Sequence, residues 1–314
     1  METRESKPPV EPDTRAPDLR HPVCFACGST KLNSIDDITD YHASTQRTYA
    51  LDVCRSCGSA RLRELLSAAE LERLYPPTFY SYDTTERRSS LTALADRVRY
   101  NRHRFRPRFS RLLEIGGGCG EFLATIKNRG EVVGLERSTA AREKAKQLGV
   151  DVRVGDAADR SLFESESFDY AYLSHSLEHL DDPAAAIFSL RHWLTRNGRI
   201  FIAVPNYAGL LPRLFRKSWY NLALPLHVSQ FTRRGLCQLL ERHGFVVDRV
   251  AYNSDPISIP MTIGFATGLQ VRSIDRSLQR LITAVALLCV PLSRLLDLMA
   301  IGDCIEVHAH KKEG

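Results

Sequence analysis

The chain has 314 residues, 43% of them hydrophobic, with a formal net charge of +6 and a pI near 8.9. That length suits one large domain, or a domain with a small appendage, and the apolar share excludes a disordered or collagen-like chain. The mildly basic balance favours phosphate-bearing partners without establishing nucleic-acid binding.

Residues 1–22, METRESKPPVEPDTRAPDLRHP, are charged and proline-rich and read as a disordered tail. No secretory signal is recognisable there, so the cytoplasm is the expected compartment. Residues 23–62 contain Cys24-Phe-Ala-Cys27-Gly28 and Cys54-Arg-Ser-Cys57-Gly58, two C-x-x-C-G knuckles with 26 residues between them. Each knuckle can present two thiolates on one tight turn, and four thiolates close a tetrahedral zinc site. Such a site keeps no position open for chemistry. Cys24, Cys27, Cys54 and Cys57 are therefore read as structural ligands that fold a small zinc-ribbon module, with a redox pair or free thiols as the alternative. The segment 63–111 reads as a helical linker followed by a basic helix. From Arg87 to Arg111 it carries nine arginines against Asp96 alone. A solvated helix covering the edge of the next domain is one reading, and a docking surface for phosphate or anionic lipid is the other.

From 112 onward strand and helix patterns alternate. Strands are expected at LLEIG, EVVGLE, VDVRVGD, FDYAYLSH, RIFIAVP, FVVDRVAY and CIEVHAHKK. Helices are expected at 120–129, TAAREKAKQLG, PAAAIFSLRHWLTRNG (closed by Gly198) and TRRGLCQLLERHG. This alternation predicts an α/β domain over 112–314: a doubly wound, mostly parallel, seven-stranded sheet with helices on both faces. A helical insertion is expected at about 260–301. Its run LITAVALLCVPL falls short of the ~20 apolar residues of a spanning helix. Residues 277–301 therefore read as a buried or surface-seated amphipathic helical pair, and peripheral contact with the inner face of the membrane stays open.

The stretch Leu112–Leu123, LLEIGGGCGEFL, joins a strand to a helix through Gly116, Gly118 and Gly120. Glycines let a ligand approach the backbone closely at such a corner. A dinucleotide site would place glycine or alanine three residues after Gly118, where the chain has Glu121. Glu114 lies inside the strand, two residues before the first glycine, and a carboxylate there suits a cationic ligand. The stretch resembles the first motif of the class I S-adenosylmethionine-dependent methyltransferases, whose cofactor carries an ammonium and a sulfonium. Further motifs follow in the same order: Glu136 in VVGLERS, Asp156 and Ala157 in VRVGDAAD, then FDYAYLSHSLEHLDDP and NGRIFIAVPN. The resemblance covers about 112–254 and the last strand. It implies that Glu114, Gly116, Gly118 and Gly120 face the cofactor, Glu136 its ribose, and Asp156 with Ala157 its adenine. Zinc knuckles before this fold resemble methyltransferases of sugar, polysaccharide and antibiotic pathways, and also ribosomal-RNA guanine methyltransferases.

Methyl transfer is an in-line displacement in which the protein positions the acceptor and often removes its proton. Histidine suits that task near neutral pH. His175, at the carboxyl end of the fourth strand, and His227, in PLHVSQFT, are the candidates. His175 opens a His-x-x-Glu-His turn whose other members, Glu178 and His179, read equally as hydrogen-bonded structural residues. Quinone-pathway O-methyltransferases carry Glu-x-x-Glu-His there and bind a divalent cation; here the first position is His175. His227 resembles a His-x-x-x-Phe stretch of the sugar methyltransferases. Their carbon-methylating members have tyrosine and glutamate three and one residues earlier, where this chain has Leu224 and Leu226, so oxygen is the expected acceptor atom. Trp219 and Tyr220 read either as a stacking wall or as core. The expected activity is O-methylation of a sugar, glycan precursor or lipid-linked small molecule. An RNA methyltransferase or an inactive cofactor-binding partner subunit is the alternative, and no base-pocket motif supports a nucleic-acid partner.

Overall fold

The computed structural model describes residues 23–42, 47–67, 70, 74 and 107–313. The expected tail at 1–22, and most of the linker and basic helix expected over 63–111, lie outside the described residues.

The described chain builds β1 (Leu32–Thr39), β2 (Thr48–Cys54), β3 (Ala60–Leu62), β4 (Arg111–Ile115), α1 (Glu121–Ile126), β5 (Glu131–Glu136), α2 (Thr139–Gln147), β6 (Asp151–Val154) and β7 (Phe168–Ser174). It continues with α3 (Pro183–Trp193), β8 (Leu194–Pro205), α4 (Leu210–Phe215), β9 (Ser229–Gln230), α5 (Arg233–Arg242), β10 (Phe245–Tyr252), α6 (Ser258–Ala266), α7 (Arg276–Leu288), α8 (Val290–Leu298) and β11 (Cys304–Lys311). The main sheet has the order β10-β11-β8-β7-β4-β5-β6. Strands β4 to β8 of it run parallel, while β11 is antiparallel to both β8 and β10. This is the expected seven-stranded sheet. The chain winds from β4 to β5 and β6 on one side, then crosses to β7 and β8 on the other. The order therefore reverses between β4 and β7, and their carboxyl ends are where such sheets bind ligands.

Strand β4 is buried from Leu112 to Ile115, as a strand covered on both faces must be. The core beside it gathers Phe168, Leu190, Trp193 and Leu194, each 0% exposed. Several boundaries differ from the sequence reading by a few residues, most of all the one between α3 and β8. Helix α3 stops at Trp193, and residues 194–198 belong to β8. Leu194 pairs with Phe168 across the sheet and its carbonyl accepts from Lys311 Nζ at 2.7 Å, so tertiary pairing ends the helix before Gly198 can.

The knuckle module is an antiparallel sheet in the order β1-β2-β3-β9, and its last strand comes from residues 229–230. The module thus shares a sheet with the segment just before α5. Thr232 ties the two: it caps α5 by accepting from the Gly235 amide at 3.0 Å and donates to the Cys57 carbonyl at 2.7 Å. Trp219 is core rather than a stacking wall, being 1% exposed with its indole N–H on Asp303 at 2.7 Å. Tyr220 packs against His42 and Phe265.

Helices α7 and α8 meet at a 48° bend, and no single described helix is long and apolar enough to cross a membrane. The pair is amphipathic, as expected. Ile282, Ala286 and Leu296 face inward, while Leu281, Val285, Leu288, Leu292, Leu295 and Met299 are exposed.

Candidate functional site

The glycine loop leaves β4 at its carboxyl end. Gly116 has φ +70°, and a Cβ there would lie 2.5 Å from Ser176 Cβ, so the loop packs directly on the turn after β7. Gly118 has φ +52°, and a Cβ there would meet nothing within 4 Å. The first glycine permits close packing and the second faces open space, as a loop that accepts a ligand requires. Gly120, also at positive φ, closes the loop as the N-cap of α1.

Beneath the loop lies Glu114, whose carboxylate would collide with a Cβ on Gly117. It is 6% exposed, and its Oε2 has no hydrogen-bond partner. Burial, then the nearby Glu136 carboxylate, push its pKa up to about 8. Glu136 ends β5 and reaches back to the loop: Oε2 accepts from the Gly118 amide at 3.1 Å, and Oε1 from the Arg137 amide at 2.8 Å. Two carboxylates from adjacent strands thus meet at one glycine loop. Asp156 lies beyond β6, where Oδ1 accepts from the Ala158 amide at 2.9 Å. Its Oδ2 pairs with Arg137 at 2.7 Å, and the same guanidinium reaches Asp181 at 3.2 Å. Ala157 is 3% exposed and belongs to the core, so the backbone at this position, rather than its methyl, is the part available to a ligand. Arg61 of β3 donates to the Asp181 carbonyl at 2.6 Å, linking the knuckle module to this edge.

The turn after β7 brings the histidines into place. His175 adopts φ +54°, a conformation rare for a residue with a side chain and costing about 1–3 kcal/mol. Its amide donates to the Ala203 carbonyl at 2.8 Å. Its side chain is 32% exposed, with Nε2 3.8 Å from Cys304 Sγ. Glu178 is 1% exposed and neither carboxylate oxygen has a hydrogen-bond partner. His175 Nδ1 lies 3.4 Å from Oε1, long for a hydrogen bond. Burial would raise the Glu178 pKa, but the His175 contact, ahead of the other imidazoles, outweighs it and brings the pKa to about 2. His179 Nδ1 is 2.9 Å from the Leu226 carbonyl, and His227 Nδ1 is 2.7 Å from that of Asn221. The two rings meet edge to face at 4.7 Å. Burial, then His179, lower the His227 pKa to about 3, which keeps that ring neutral and makes it a feeble base.

Among the described residues six buried side-chain oxygens lack a hydrogen-bond partner, and four of them belong to Glu114, Ser176 and Glu178. Native interiors rarely leave such groups unpaired, so this concentration at the ends of β4 and β7 marks a place built for something else to bind. A cavity of about 290 Å³ lined by Arg108, Tyr170, Arg199 and His308 has no such oxygen in its wall and lies away from the glycine loop.

The four knuckle cysteines converge. Cys24 and Cys57 sulfurs are 3.6 Å apart and those of Cys27 and Cys54 3.5 Å. One ligand atom from each cysteine lies within 4.8 Å of the others. A tetrahedron with bonds of about 2.3 Å places its sulfurs about 3.8 Å apart, so the set fits zinc. The Cys24–Cys57 contact drives Cys57 down to about 5 and Cys24 upward, as when two thiols share a proton. Gly28 and Gly58 amides donate to the Cys24 and Cys54 carbonyls, both at 2.8 Å, closing two equivalent turns.

Ser176, Arg61, Arg137 and Asp303 carry no motif and escape sequence reasoning. The signal for Ser176 was its place after His175 at a strand end, and for Arg137 its place directly after Glu136. Glu178 and His179 were visible as a turn, but nothing in the sequence joins them to His227.

Residues 85–250, more than half of the chain, match the family described as "Methyltransferase domain". Among curated proteins the chain is similar to an uncharacterised 37.1 kDa protein of a Streptomyces fradiae transposon, 27% identical over 209 residues. That alignment covers 60% of this chain and 57% of its relative, so the chain spans less than two thirds of that protein's length. An uncharacterised methyltransferase of Staphylococcus carnosus is 27% identical over 154 residues, covering 46% of this chain and 73% of that protein. Among solved structures the cyclase SpnF shares the fold at 16% identity and a TM-score of 0.52, over 80% of this chain and 98% of that one. A methyltransferase from Archaeoglobus fulgidus is similar at 20% identity and a TM-score of 0.47, over 71% and 95%.

Proposed function

Because the chain belongs to the methyltransferase domain family, we propose that it uses S-adenosylmethionine to methylate a hydroxyl oxygen of a sugar, glycan precursor or lipid-linked small molecule. The observation that carries the cofactor reading is Glu114: a buried carboxylate with an unpartnered oxygen under a glycine loop, beside a second carboxylate, calls for a cation. When bound, S-adenosylmethionine supplies an electrophilic methyl group. Glu114 offsets the ammonium charge, Glu136 and Asp156 hold the ribose and adenine end, and the backbone at Gly118 allows close approach. His175, 32% exposed and held in a left-handed turn next to Ser176, is the base that takes the proton of the acceptor hydroxyl. The His227 pKa, lowered to about 3, makes that ring too weakly basic for the task, which assigns the two histidines different work. Zinc at Cys24, Cys27, Cys54 and Cys57 is structural, holding the module to which β9 and Thr232 attach. The exposed leucine stripe of α7 and α8 supports an acceptor met at a lipid surface.

The test is label transfer. The purified chain is incubated with methyl-tritiated S-adenosylmethionine and an extract of cells that lack it, and products are divided into RNA, lipid, glycan and small polar fractions. Label in glycan, lipid or sugar-nucleotide pools is expected. Ribonuclease-sensitive label would overturn the acceptor in favour of RNA. Absence of label with cofactor binding intact would favour a non-transferring partner subunit.

A further inference from the structure

We propose that Glu178, His179 and His227 form a second metal site, distinct from the cysteine cluster, that binds one divalent cation of the zinc class. One ligand-capable atom from each of the three lies within 4.8 Å of the other two. Convergence alone would be weak, but the surroundings give each group a ligand's disposition. The Glu178 carboxylate is 1% exposed and has no hydrogen-bond partner for either oxygen. A buried carboxylate normally collects several donors, and a metal ion is the partner that replaces them.

Both imidazoles are set for coordination through the same nitrogen. His179 Nδ1–H donates to the Leu226 carbonyl and His227 Nδ1–H to that of Asn221, which makes Nε2 the lone-pair nitrogen of each neutral ring. Metal-bound histidines commonly donate their second ring N–H in this way, fixing the tautomer and the ring plane. The supports are themselves held. Asn221 Nδ2 donates to Asp303 at 2.5 Å and to Ser258 at 2.9 Å, and Asp303 also accepts from Trp219. His175 lies outside the set: its Nδ1 faces Glu178 Oε1 at 3.4 Å and its Nε2 faces Cys304 Sγ at 3.8 Å.

Two imidazoles and a carboxylate suit Zn²⁺ and its borderline neighbours rather than Mg²⁺ or Ca²⁺, which prefer all-oxygen sites. Three protein ligands are also the count at which zinc keeps a position for water or substrate. The ligands come from the turn after β7 and from the loop before β9, so an ion here would pin the two segments together beside Ser176 and the glycine loop. The inference goes beyond the methyl-transfer reading, since binding of the ion needs neither the cofactor nor an acceptor.

The test counts metal. The full chain, Glu178→Gln and His227→Ala are each equilibrated with Zn²⁺ alone, desalted, and their zinc per chain measured by plasma mass spectrometry. The expected result is a loss of one zinc per chain in both variants, whatever the cysteine cluster holds. Far-UV circular dichroism and retention of zinc releasable by a thiol-blocking reagent report that each variant is folded. Cobalt loading gives a second readout on the unaltered chain, namely absorption from a site without thiolate charge-transfer bands in addition to any thiolate-bound cobalt. Equal zinc in all three proteins, or cobalt spectra with thiolate character only, would overturn the site.

Discussion

Gly116 and Glu114 are where single residues decide the most. Gly116→Ala must place a methyl 2.5 Å from Ser176 Cβ and hold an L-residue at φ +70°. Strain of about 1–3 kcal/mol from overpacking, with about 1 kcal/mol more from the backbone, falls on the loop proposed to meet the cofactor. We expect S-adenosylhomocysteine to bind at least about tenfold more weakly by calorimetry, with the secondary structure intact. Glu114 sets a pH dependence of definite sign. Its carboxyl pKa is about 8 in the folded, ligand-free chain against an ordinary 4.5. The folded state therefore holds a proton that the unfolded state releases. The stability this contributes is complete below 4.5 and is lost as pH rises through 8, an effect on the order of a few kcal/mol. A cationic ligand prefers the ionised carboxylate, so cofactor affinity should rise with pH toward 8 and level off above it. Glu114→Gln should flatten both profiles, seen in melting temperature and in calorimetry from pH 5 to 9. Unchanged slopes in that variant would remove Glu114 from the cofactor site.

At the scale of elements, the junction between the knuckle module and α5 rests on Thr232, which serves as helix cap and as donor to Cys57. Thr232→Val keeps the shape but leaves the Gly235 amide and the Cys57 carbonyl without this partner. A loss of about 1–3 kcal/mol in denaturant unfolding is expected, with cofactor affinity unaffected. Chelation should act on the same junction from the other side. Loss of zinc should speed hydrogen exchange in β1–β3 and, through the β3–β9 pairing, at residues 229–230, while β4 and β5 keep their protection. Exchange confined to 23–62 would mean that β9 does not depend on the module. Much of this level was legible in the sequence. The strand-helix alternation located every strand of the main sheet, because the central strands, covered on both faces, are short apolar runs and the edge strands β6 and β10 are short runs rich in valine. The end of α3 was not legible. Gly198 is a plausible stop on local grounds, and only the pairing of Leu194 with Phe168 shows that the strand has already begun.

Across the whole molecule, the exposed apolar residues concentrate on one feature. Leu281, Val285, Leu288, Leu292, Leu295 and Met299 follow a helical spacing across the α7–α8 bend, with exposures from 36% to 80%. Arg276 and Arg280 are exposed on α7, and the only acid in the pair, Asp297, is engaged by Ser254 and Arg294. Asp275, exposed before Arg276, caps α7 by accepting from the Leu278 amide, and the apolar stripe beside these arginines is suited to an anionic lipid surface. The chain should sediment with phosphatidylglycerol vesicles and less with phosphatidylcholine, and Leu288→Gln with Leu295→Gln should abolish binding without altering zinc content. Equal recovery in the supernatant with and without vesicles would sink the membrane reading.

By itself the sequence determined the doubly wound sheet, the four-cysteine cluster and the acid before the glycine loop, since each is written in local spacing: apolar period, C-x-x-C-G turns, a strand meeting glycines. The tertiary structure alone decided which groups share a site. Glu178 and His179 meet His227 from 48 residues away, Ser176 meets Gly116, β9 completes the sheet of a module more than 160 residues earlier, and Trp219 turns inward to Asp303. The physical reason is the same in each case. Local spacing is set by backbone geometry within one element, whereas burial and the loss of water partners arise only when distant elements pack, and those are what give Glu114, Glu178 and His227 their chemistry.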